Sequence, residues 1–318
     1  MKKIFFIIIL LQLLLLPNAY AHGFGSKIDL PIPGYLYWFG GGAAVIASFA
    51  IISLFVKSKS YDDSYWTYNL RNLGLVDTLY KNKSLLNVFK IISIGLFILT
   101  ILTGVLGAQF PIKNFAPTFV WVIWWGGFIW LHILFGNSWN FVNPWKNIFE
   151  LIKFDEKPLR QYPEKLKSWP AFGFFLIFAW IELVYPTPAY PQFLGNIIFV
   201  YSVIVLAGMR VFGKDKWLDN CEPFTVFFNF VSSFSMTRVT SDGKILLRPI
   251  ASGLLDVRYR FDQLCFLILI LSVVSFDGLI STLFWYDFIG MDVFGGSGRL
   301  DVIYVNTVGI LLSFIVFF

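Results

Sequence analysis

Two histidines, His22 and His132, are the side chains that most directly suggest metal chemistry in this sequence. His22 follows residues 19–21, Ala-Tyr-Ala, which match the A-x-A pattern of a signal-peptide cleavage site. A histidine at a mature N-terminus binds a metal through its amine and a ring nitrogen, and imidazole suits copper or zinc. One prediction is a copper or zinc site at His22, with a further ligand from Asp29, an outer loop or residues beyond 318. The alternative is an exposed histidine in a processed tail.

The residues before His22 complete the pattern of a secretory signal. Lys2 and Lys3 form a basic start, and residues 4–16 form an apolar stretch that only Gln12 interrupts. This stretch is shorter than the roughly 20 residues that a bilayer crossing needs. We therefore expect a signal peptide over residues 1–21 and a multi-span domain over 22–318, with its mature N-terminus outside the cytoplasm. An uncleaved anchor is the alternative.

His132 lies near the inner end of the third predicted helix, too far from an outer N-terminus to share a metal with His22. We expect a packing histidine that is hydrogen-bonded to a neighbour, with a ligand or proton-relay role as the alternative. The sequence contains no H-x-H, H-E-x-x-H or G-x-S-x-G motif, and its two cysteines have no C-x-x-C spacing. A conventional binuclear metal hydrolase cannot be assembled from these residues.

Polar side chains inside apolar segments give a second group of candidates. Glu182, Asn196 and Asp277 fall within the fourth, fifth and sixth predicted spans, in the half nearer the outer side. A charged residue at the centre of a membrane helix costs about 2.5–3.5 kcal/mol even on the milder scale, so such residues often serve function. We predict an outward-opening polar cavity around Asp277 that binds a small solute or cation. The alternatives are a snorkelling Glu182 and a structural hydrogen bond at Asp277.

The composition indicates a membrane protein. The 318 residues are 57% hydrophobic and only 14% charged, whereas soluble domains are about 25% charged. Long apolar segments without alternating strands predict helices, so the fold class is all-α, a polytopic transmembrane helical bundle. The predicted spans cover residues 35–56, 88–106, 118–135, 170–184, 193–212, 263–284 and 302–318.

The distribution of charge predicts the orientation. Most of the 25 lysines and arginines follow the first, third and fifth predicted spans, whereas the opposite side carries Lys27, Lys113 and Arg299. The positive-inside rule then makes the basic loops cytoplasmic. We expect a multi-pass protein of the inner membrane whose basic side contacts an anionic leaflet. Nucleic acid is not needed as a partner to explain the net charge of +6.

Two inner loops predict amphipathic helices in the membrane interface. Asn143 and Pro144 form a cap and a first turn before residues 145–151, and Glu222-Pro223 precedes the apolar residues 224–234. Neither segment is long enough to span a bilayer, so we expect both to lie in the inner interface. A re-entrant segment buried among the spans is the alternative for each.

Three segments carry a resemblance to a known family. They are AHGFGSKIDLPIPGYLYWFGGGAAVIASF (21–49), GNSWNFVNPWKNIF (136–149) and SVVSFDGL (272–279). Together they resemble a family of polytopic membrane proteins, some members of which carry the label fenitrothion hydrolase, an organophosphate esterase. The resemblance implies a hydrolase and further helices beyond residue 318, where the sequence stops inside an apolar run. It supplies no catalytic motif that matches positions here.

Three functional hypotheses follow. The first is a transporter or binding protein for a small solute or metal cation at the outer face. The second is a membrane-embedded, metal-dependent hydrolase or oxidase completed by residues beyond 318. The third is a scaffold that contacts a membrane protein partner through the two interfacial helices, around Trp145 and Phe227.

Overall fold

The computed structural model describes residues 65–153, 157–240, 242–291 and 299–318, together with Ala43 and Ile46. The chain divides into two compact units, Met1–Asp63 and Ser64–Phe318. The predicted signal peptide, the predicted span 35–56, His22 and Asp29 lie outside the described residues. The following description concerns the second unit.

Helices account for most of the second unit, as the long apolar segments predict. They are α1 Gly74–Lys81, α2 Lys83–Leu106, α3 Phe115–Phe135, α4 Trp139–Val142, α5 Pro144–Ile152, α6 Trp169–Leu183, α7 Pro191–Phe212, α8 Lys214–Asn220, α9 Pro223–Ser232, α10 Phe261–Ile280, α11 Leu283–Phe288 and α12 Arg299–Phe317. Short 3-10 turns cover Leu70–Asn72, Pro111–Lys113, Glu164–Leu166 and Ser252–Asp256. The strands β1 Tyr68–Asn69, β2 Thr237–Val239 and β3 Ile245–Leu247 form a small antiparallel sheet in the order β1-β3-β2. The prediction of an all-α bundle is confirmed.

Four of the described helices, α2, α3, α7 and α10, are long and apolar enough to cross a membrane. They correspond to the predicted spans 88–106, 118–135, 193–212 and 263–284. The other two apolar segments form shorter helices, α6 with 15 residues and the 302–317 part of α12. The described residues therefore confirm a membrane protein with several spans, and the predicted total of seven stays a prediction.

The sixth predicted span ends earlier than expected, at Ile280 rather than at residue 284. The Ser281 hydroxyl donates a hydrogen bond to the Asp277 carbonyl oxygen, and Thr282 accepts one from the Trp285 amide at 3.2 Å. Hydroxyl side chains compete with the helical backbone in this way and favour caps. Thr282 therefore begins α11 instead of continuing α10.

A close glycine contact joins α2 and α7, which run antiparallel. A Cβ atom added at Gly104 would lie 2.9 Å from Gly195 Cα and 2.9 Å from the Pro191 carbonyl oxygen. Small residues allow such backbone approach between membrane helices, where packing drives association. This contact lies at the end of the α2–α7 pair that is far from α5.

The helix α5 has the cap that the sequence predicts. Asn143 accepts a hydrogen bond from the Lys146 amide at 3.1 Å, and Pro144 occupies the first turn. Trp145 and Phe149 are buried, whereas Leu151 is exposed. The helix is therefore amphipathic, as expected.

The prediction for residues 224–234 is wrong in its location. The segment forms α9, whose apolar side chains are nearly all buried against α3, α4 and α6, so it does not lie on a surface. The physical reason is that α9 is apolar except at Thr225, Asn229 and Ser232, and a helix with so wide an apolar face belongs inside a bundle. The re-entrant alternative describes it better.

We predict that Gly104→Ala lowers the stability of the protein by about 1–3 kcal/mol, because the new methyl group meets backbone atoms that cannot move aside. Gly95→Ala on the same helix is the matched control, since nothing lies within 4 Å of its added Cβ. Gly95→Ala should be neutral or stabilising because alanine favours helix. Thermal unfolding in detergent measures both variants, and equal melting temperatures would contradict the contact.

A second prediction concerns Glu150, which joins α5 to α2 and α8. Its carboxylate lies 3.0 Å from Lys90 Nζ and 3.1 Å from Lys214 Nζ. Burial raises the pKa of Glu150, but the hydrogen bonds and charges of the two lysines outweigh it and lower the pKa below 4.5. The stabilisation is therefore present above pH 4.5 and lost as the pH falls through the lowered pKa.

We expect Glu150→Gln to destabilise the protein by less than about 1 kcal/mol near neutral pH, since the carboxylate is partly exposed. The difference from wild type should shrink as the pH falls below about 4.5, the unfolded pKa, and vanish once the pH passes the lowered pKa of the folded carboxylate. Melting temperatures measured from pH 3 to pH 7 test this, with Glu164→Gln as the control. A difference that does not depend on pH would show that the ion pairs contribute nothing.

Candidate functional site

The three polar residues predicted in spans lie at the same end of the described helices. Helices α6 and α10 run parallel, because their first turns meet where the Ser168 amide donates to Asp262 Oδ2 at 2.9 Å. Glu182 and Asp277 lie near the other ends of these helices, and Asn196 lies near the start of the antiparallel α7. The structure therefore brings the three residues to one end, on three different helices.

The three side chains differ in burial. Glu182 is half-buried and accepts a hydrogen bond from Trp125 Nε1 at 2.8 Å. Asn196 and Asp277 are exposed on the described bundle, and the core position next to Asp277 belongs to Phe276. The polar cavity around Asp277 stays a prediction.

His132 is a packing residue, as the sequence analysis expects. It is buried, and its ring stacks on Phe228 with centroids 4.3 Å apart. The Trp139 amide donates to Nε2 at 3.1 Å, so the ring proton lies on Nδ1 and is donated to the Phe128 carbonyl oxygen at 2.9 Å. Both nitrogens of the neutral ring are used, which leaves neither for a metal.

The described residues contain no group of three or more His, Cys, Asp or Glu side chains that could hold a metal ion. The predicted copper or zinc ligands His22 and Asp29 lie outside the described residues, so that prediction stays open. Cys221 and Cys265 are both buried thiols.

A large cavity is the main candidate site. It has a volume of about 530 Å³ and lies between α2 and α7 on one side and α3 and α6 on the other. Side chains of α4, α5 and α9 form its floor, with Trp139, Trp145 and Phe224 among them. Ligand pockets in proteins have volumes of roughly 300–1,000 Å³, so this cavity is large enough for a small organic molecule.

The lining of the cavity is almost wholly apolar. Among the described residues that line it there is no Lys, Arg, His, Asp or Glu side chain. The hydroxyl groups of Ser93 and Thr100 donate to the backbone carbonyl oxygens of Val142 and Leu96, so their protons are already used. A hydrated polar solute would lose its water here without compensation, whereas an apolar molecule would not.

The cavity opens sideways between helices. Ile92, Ile123, Ile177 and Val200 line it, yet all four are exposed on the apolar surface of the described bundle. They belong to α2, α3, α6 and α7, of which three are candidate membrane spans. The opening therefore faces the medium that would surround the spans, which in a bilayer is hydrocarbon.

One wall of the cavity has an unusual backbone. Residues Thr118–Gly127 of α3 form a π-helix, and Val120, Trp121 and Trp124 of this segment line the cavity. π-Helical segments are rare and occur frequently at functional sites. Their wider turns change which side chains face a helix neighbour, so this segment contributes directly to the shape of the wall.

Aromatic rings form the floor of the cavity. The Trp124 ring lies edge-on to Phe224, with centroids 4.6 Å apart, and Tyr201 lies 6.0 Å from the same ring. Trp145 stacks at 6.5 Å from Phe224. Edge and offset contacts of this kind fix ring orientations, so the floor is a rigid surface.

A buried carboxylate lies beneath this floor. Glu222 caps α9 and accepts hydrogen bonds from the Phe224 amide at 3.0 Å and the Thr225 amide at 2.6 Å. The Tyr201 hydroxyl donates to it at 2.8 Å, and the Thr225 hydroxyl donates to its other oxygen. Burial raises the pKa of Glu222, and these four hydrogen bonds oppose that shift.

The Thr225 hydroxyl connects this carboxylate to α4 and to Asn143. It accepts hydrogen bonds from Trp139 Nε1 at 3.1 Å and Asn143 Nδ2 at 3.3 Å, while its own proton goes to Glu222. The pair Glu222-Pro223 predicts a helix start, but no local sequence pattern indicates this hydrogen-bond network. A carboxylate directly before an apolar helix that cannot span is the signal that could have indicated a buried cap.

Comparisons with family models, with curated proteins and with solved structures give no match for this chain. The resemblance to the family that includes fenitrothion hydrolases therefore stays a prediction from the three quoted segments.

The buried network makes a direct prediction. Thr225→Val keeps the shape of the side chain but leaves two buried N–H donors without an acceptor and removes one donor from Glu222. Each buried group left unsatisfied costs about 1–3 kcal/mol, so we expect a clearly lower melting temperature. Thr225→Ser keeps the hydroxyl and loses one methyl group, at roughly 1 kcal/mol. Thermal unfolding compares them, and equal losses for both would argue against the network.

Proposed function

We propose that this protein binds an apolar chain molecule taken from the lipid phase, and that the 530 Å³ cavity is its binding site. The observation that carries the proposal is an apolar cavity that opens sideways between candidate membrane spans. A ligand already dissolved in hydrocarbon can reach such a site without crossing water. The protein would then act as a membrane-embedded carrier or receptor for that ligand.

The chemistry of the lining supports an apolar ligand over a hydrated one. The cavity offers aromatic and branched aliphatic surface and no charged side chain, so contact with a chain molecule would come from packing and dispersion. A metal cation or a small polar solute would need several polar ligands at this position. The cavity is therefore a poor site for the cation of the first hypothesis.

The proposed setting is the inner membrane, with the floor of the cavity toward the cytoplasm. Lys153, Arg160, Lys165 and Lys216 are exposed at the floor end of the described bundle, opposite the end that carries Glu182. This distribution supports the positive-inside orientation and contact with an anionic leaflet.

A small solute or cation bound near Glu182, Asn196 and Asp277 is the second candidate function. It is favoured by the placement of all three residues at one end of the bundle and by the Trp125 hydrogen bond that orients Glu182. The scaffold hypothesis has less support, since Trp145 and Phe227, which would contact the partner, are both buried. The hydrolase hypothesis depends on residues outside the described part of the chain.

The test uses two neighbouring isoleucines of α2. Ile92 lines the cavity, whereas Ile91 is exposed and does not line it. We predict that Ile92→Trp fills the opening and reduces the lipid-derived molecule that co-purifies with the protein, by about tenfold or more. Ile91→Trp should retain it. Native mass spectrometry of the full chain, released from detergent micelles, measures the bound mass.

The same preparation separates the two candidate functions. Asp277→Asn should leave the bound apolar molecule unchanged if the cavity is the site. Equal occupancy in Ile92→Trp and Ile91→Trp would contradict the cavity proposal. Loss of a bound small solute or cation in Asp277→Asn, with no apolar ligand in any variant, would favour the second candidate.

A further inference from the structure

We propose that the ligand of this cavity is a single-chain amphiphile with a neutral, hydroxyl-bearing head, bound with that head on the floor between Trp124 and Tyr201. This inference rests on the proposed function, since it specifies what the cavity binds. It follows from the few polar atoms that the lining offers and from the charge that lies behind them.

Trp124 supplies a hydrogen-bond donor that the described protein does not use. Of the four tryptophans that line the cavity, Trp121 donates to the Pro188 carbonyl oxygen, Trp139 to Thr225 and Trp145 to Ser202. Within the described ranges the Trp124 indole N–H has no hydrogen-bond partner. Its nitrogen is partly accessible rather than fully buried. An indole N–H can only donate, so it calls for an oxygen acceptor on the ligand.

Tyr201 supplies the complementary acceptor. Its hydroxyl proton is committed to Glu222, at 2.8 Å, which leaves the phenolic oxygen with a lone pair for a further donor. A hydrogen bond to a carboxylate is stronger than a neutral one and polarises the donor hydroxyl. The Tyr201 oxygen is therefore suited to accept a proton from a ligand hydroxyl.

The two groups belong to the same end of the cavity. The Phe224 ring neighbours both, 4.6 Å from the Trp124 ring and 6.0 Å from the Tyr201 ring by centroids, and all three residues line the cavity. The remaining walls, toward Val120 and Leu194, are apolar. A ligand with one polar end would place that end over Phe224 and its chain along α2 and α7.

Charge determines which head group fits. No basic side chain of the described part of the chain lines the cavity, and the Glu222 carboxylate accepts the Tyr201 hydroxyl proton from behind it. A carboxylate or phosphate head would be buried without a counter-charge and close to a like charge, which is unfavourable. A hydroxyl group can accept from Trp124 and donate to Tyr201, so it satisfies both groups without carrying charge.

The experiment compares three molecules with one chain length: 1-tetradecanol, tetradecanoate and tetradecane. They are titrated onto the detergent-solubilised full chain, and native mass spectrometry reports the bound fraction. The net contribution of one hydrogen bond should make wild type bind 1-tetradecanol roughly two- to tenfold more tightly than tetradecane. Tetradecanoate should bind more weakly than the alcohol at neutral pH.

Two variants test whether the floor of the cavity causes the preference for the alcohol over the alkane. Tyr201→Phe and Trp124→Phe should each lower the alcohol-to-alkane ratio, which compares two ligands in the same variant and so cancels any change in the size of the cavity. Tyr259→Phe, a tyrosine that does not line the cavity, is the matched control and should keep the wild-type ratio. Tyr201→Phe also removes a donor from Glu222, so Trp124→Phe, which leaves Glu222 untouched, keeps the test valid if the first variant fails to fold.

The outcomes distinguish this inference from the proposed function. If all three molecules bind equally, or tetradecanoate binds most tightly, the head-group inference is overturned while the cavity proposal stands. If Trp124→Phe keeps the wild-type ratio of alcohol to alkane affinity, the floor does not recognise the head group, and the inference is again overturned. If none of the three binds to wild type, the cavity proposal itself fails, and a protein segment becomes the better candidate for its occupant.

Discussion

The buried carboxylate of Glu222 is the constraint on which the described arrangement depends. Helix α9 is apolar over most of its surface and begins inside the bundle, so its first amide groups cannot reach water. Glu222 accepts two of these amides and the hydroxyls of Tyr201 and Thr225, which joins α9 to α7 and, through Thr225, to α4. A buried charge without such partners would be very unfavourable, so the cap and the buried position of α9 require each other.

The cavity follows from this arrangement. At the floor end, α4, α5 and α9 hold the helix pairs α2–α7 and α3–α6 in place, and at the far end the contact between Gly104 and Gly195 draws α2 and α7 together. The rings of Trp124, Trp145 and Phe224 hold each other in fixed orientations at the floor, so the walls do not close over the gap. In water such an apolar space would be a defect, but beside a bilayer it can be filled by a molecule from the lipid phase.

The described surroundings of the cavity support the proposed binding role. General acid–base or nucleophilic chemistry needs a reactive group with access to its substrate. Around the cavity, the described carboxylate and hydroxyls are instead used to hold helices, and His132 uses both ring nitrogens in the same way. The hydroxyl oxygen of Tyr201 and the N–H of Trp124 remain to meet a ligand, which is enough for recognition of a head group.

Local sequence patterns determined the helices, several of their boundaries and the α5 cap, because hydropathy, a capping Asn143 and a first-turn Pro144 act within a few residues. Composition likewise determined the membrane class. The tertiary structure alone decided that α9 is buried, that Glu222 joins three segments, and that Asp277 is exposed while Phe276 packs in the core. The tertiary structure also decided that residues Thr118–Gly127 form a π-helix and that a cavity remains between the helices. These features depend on contacts between side chains far apart in the sequence, and no local pattern specifies which apolar faces meet or where they leave a gap.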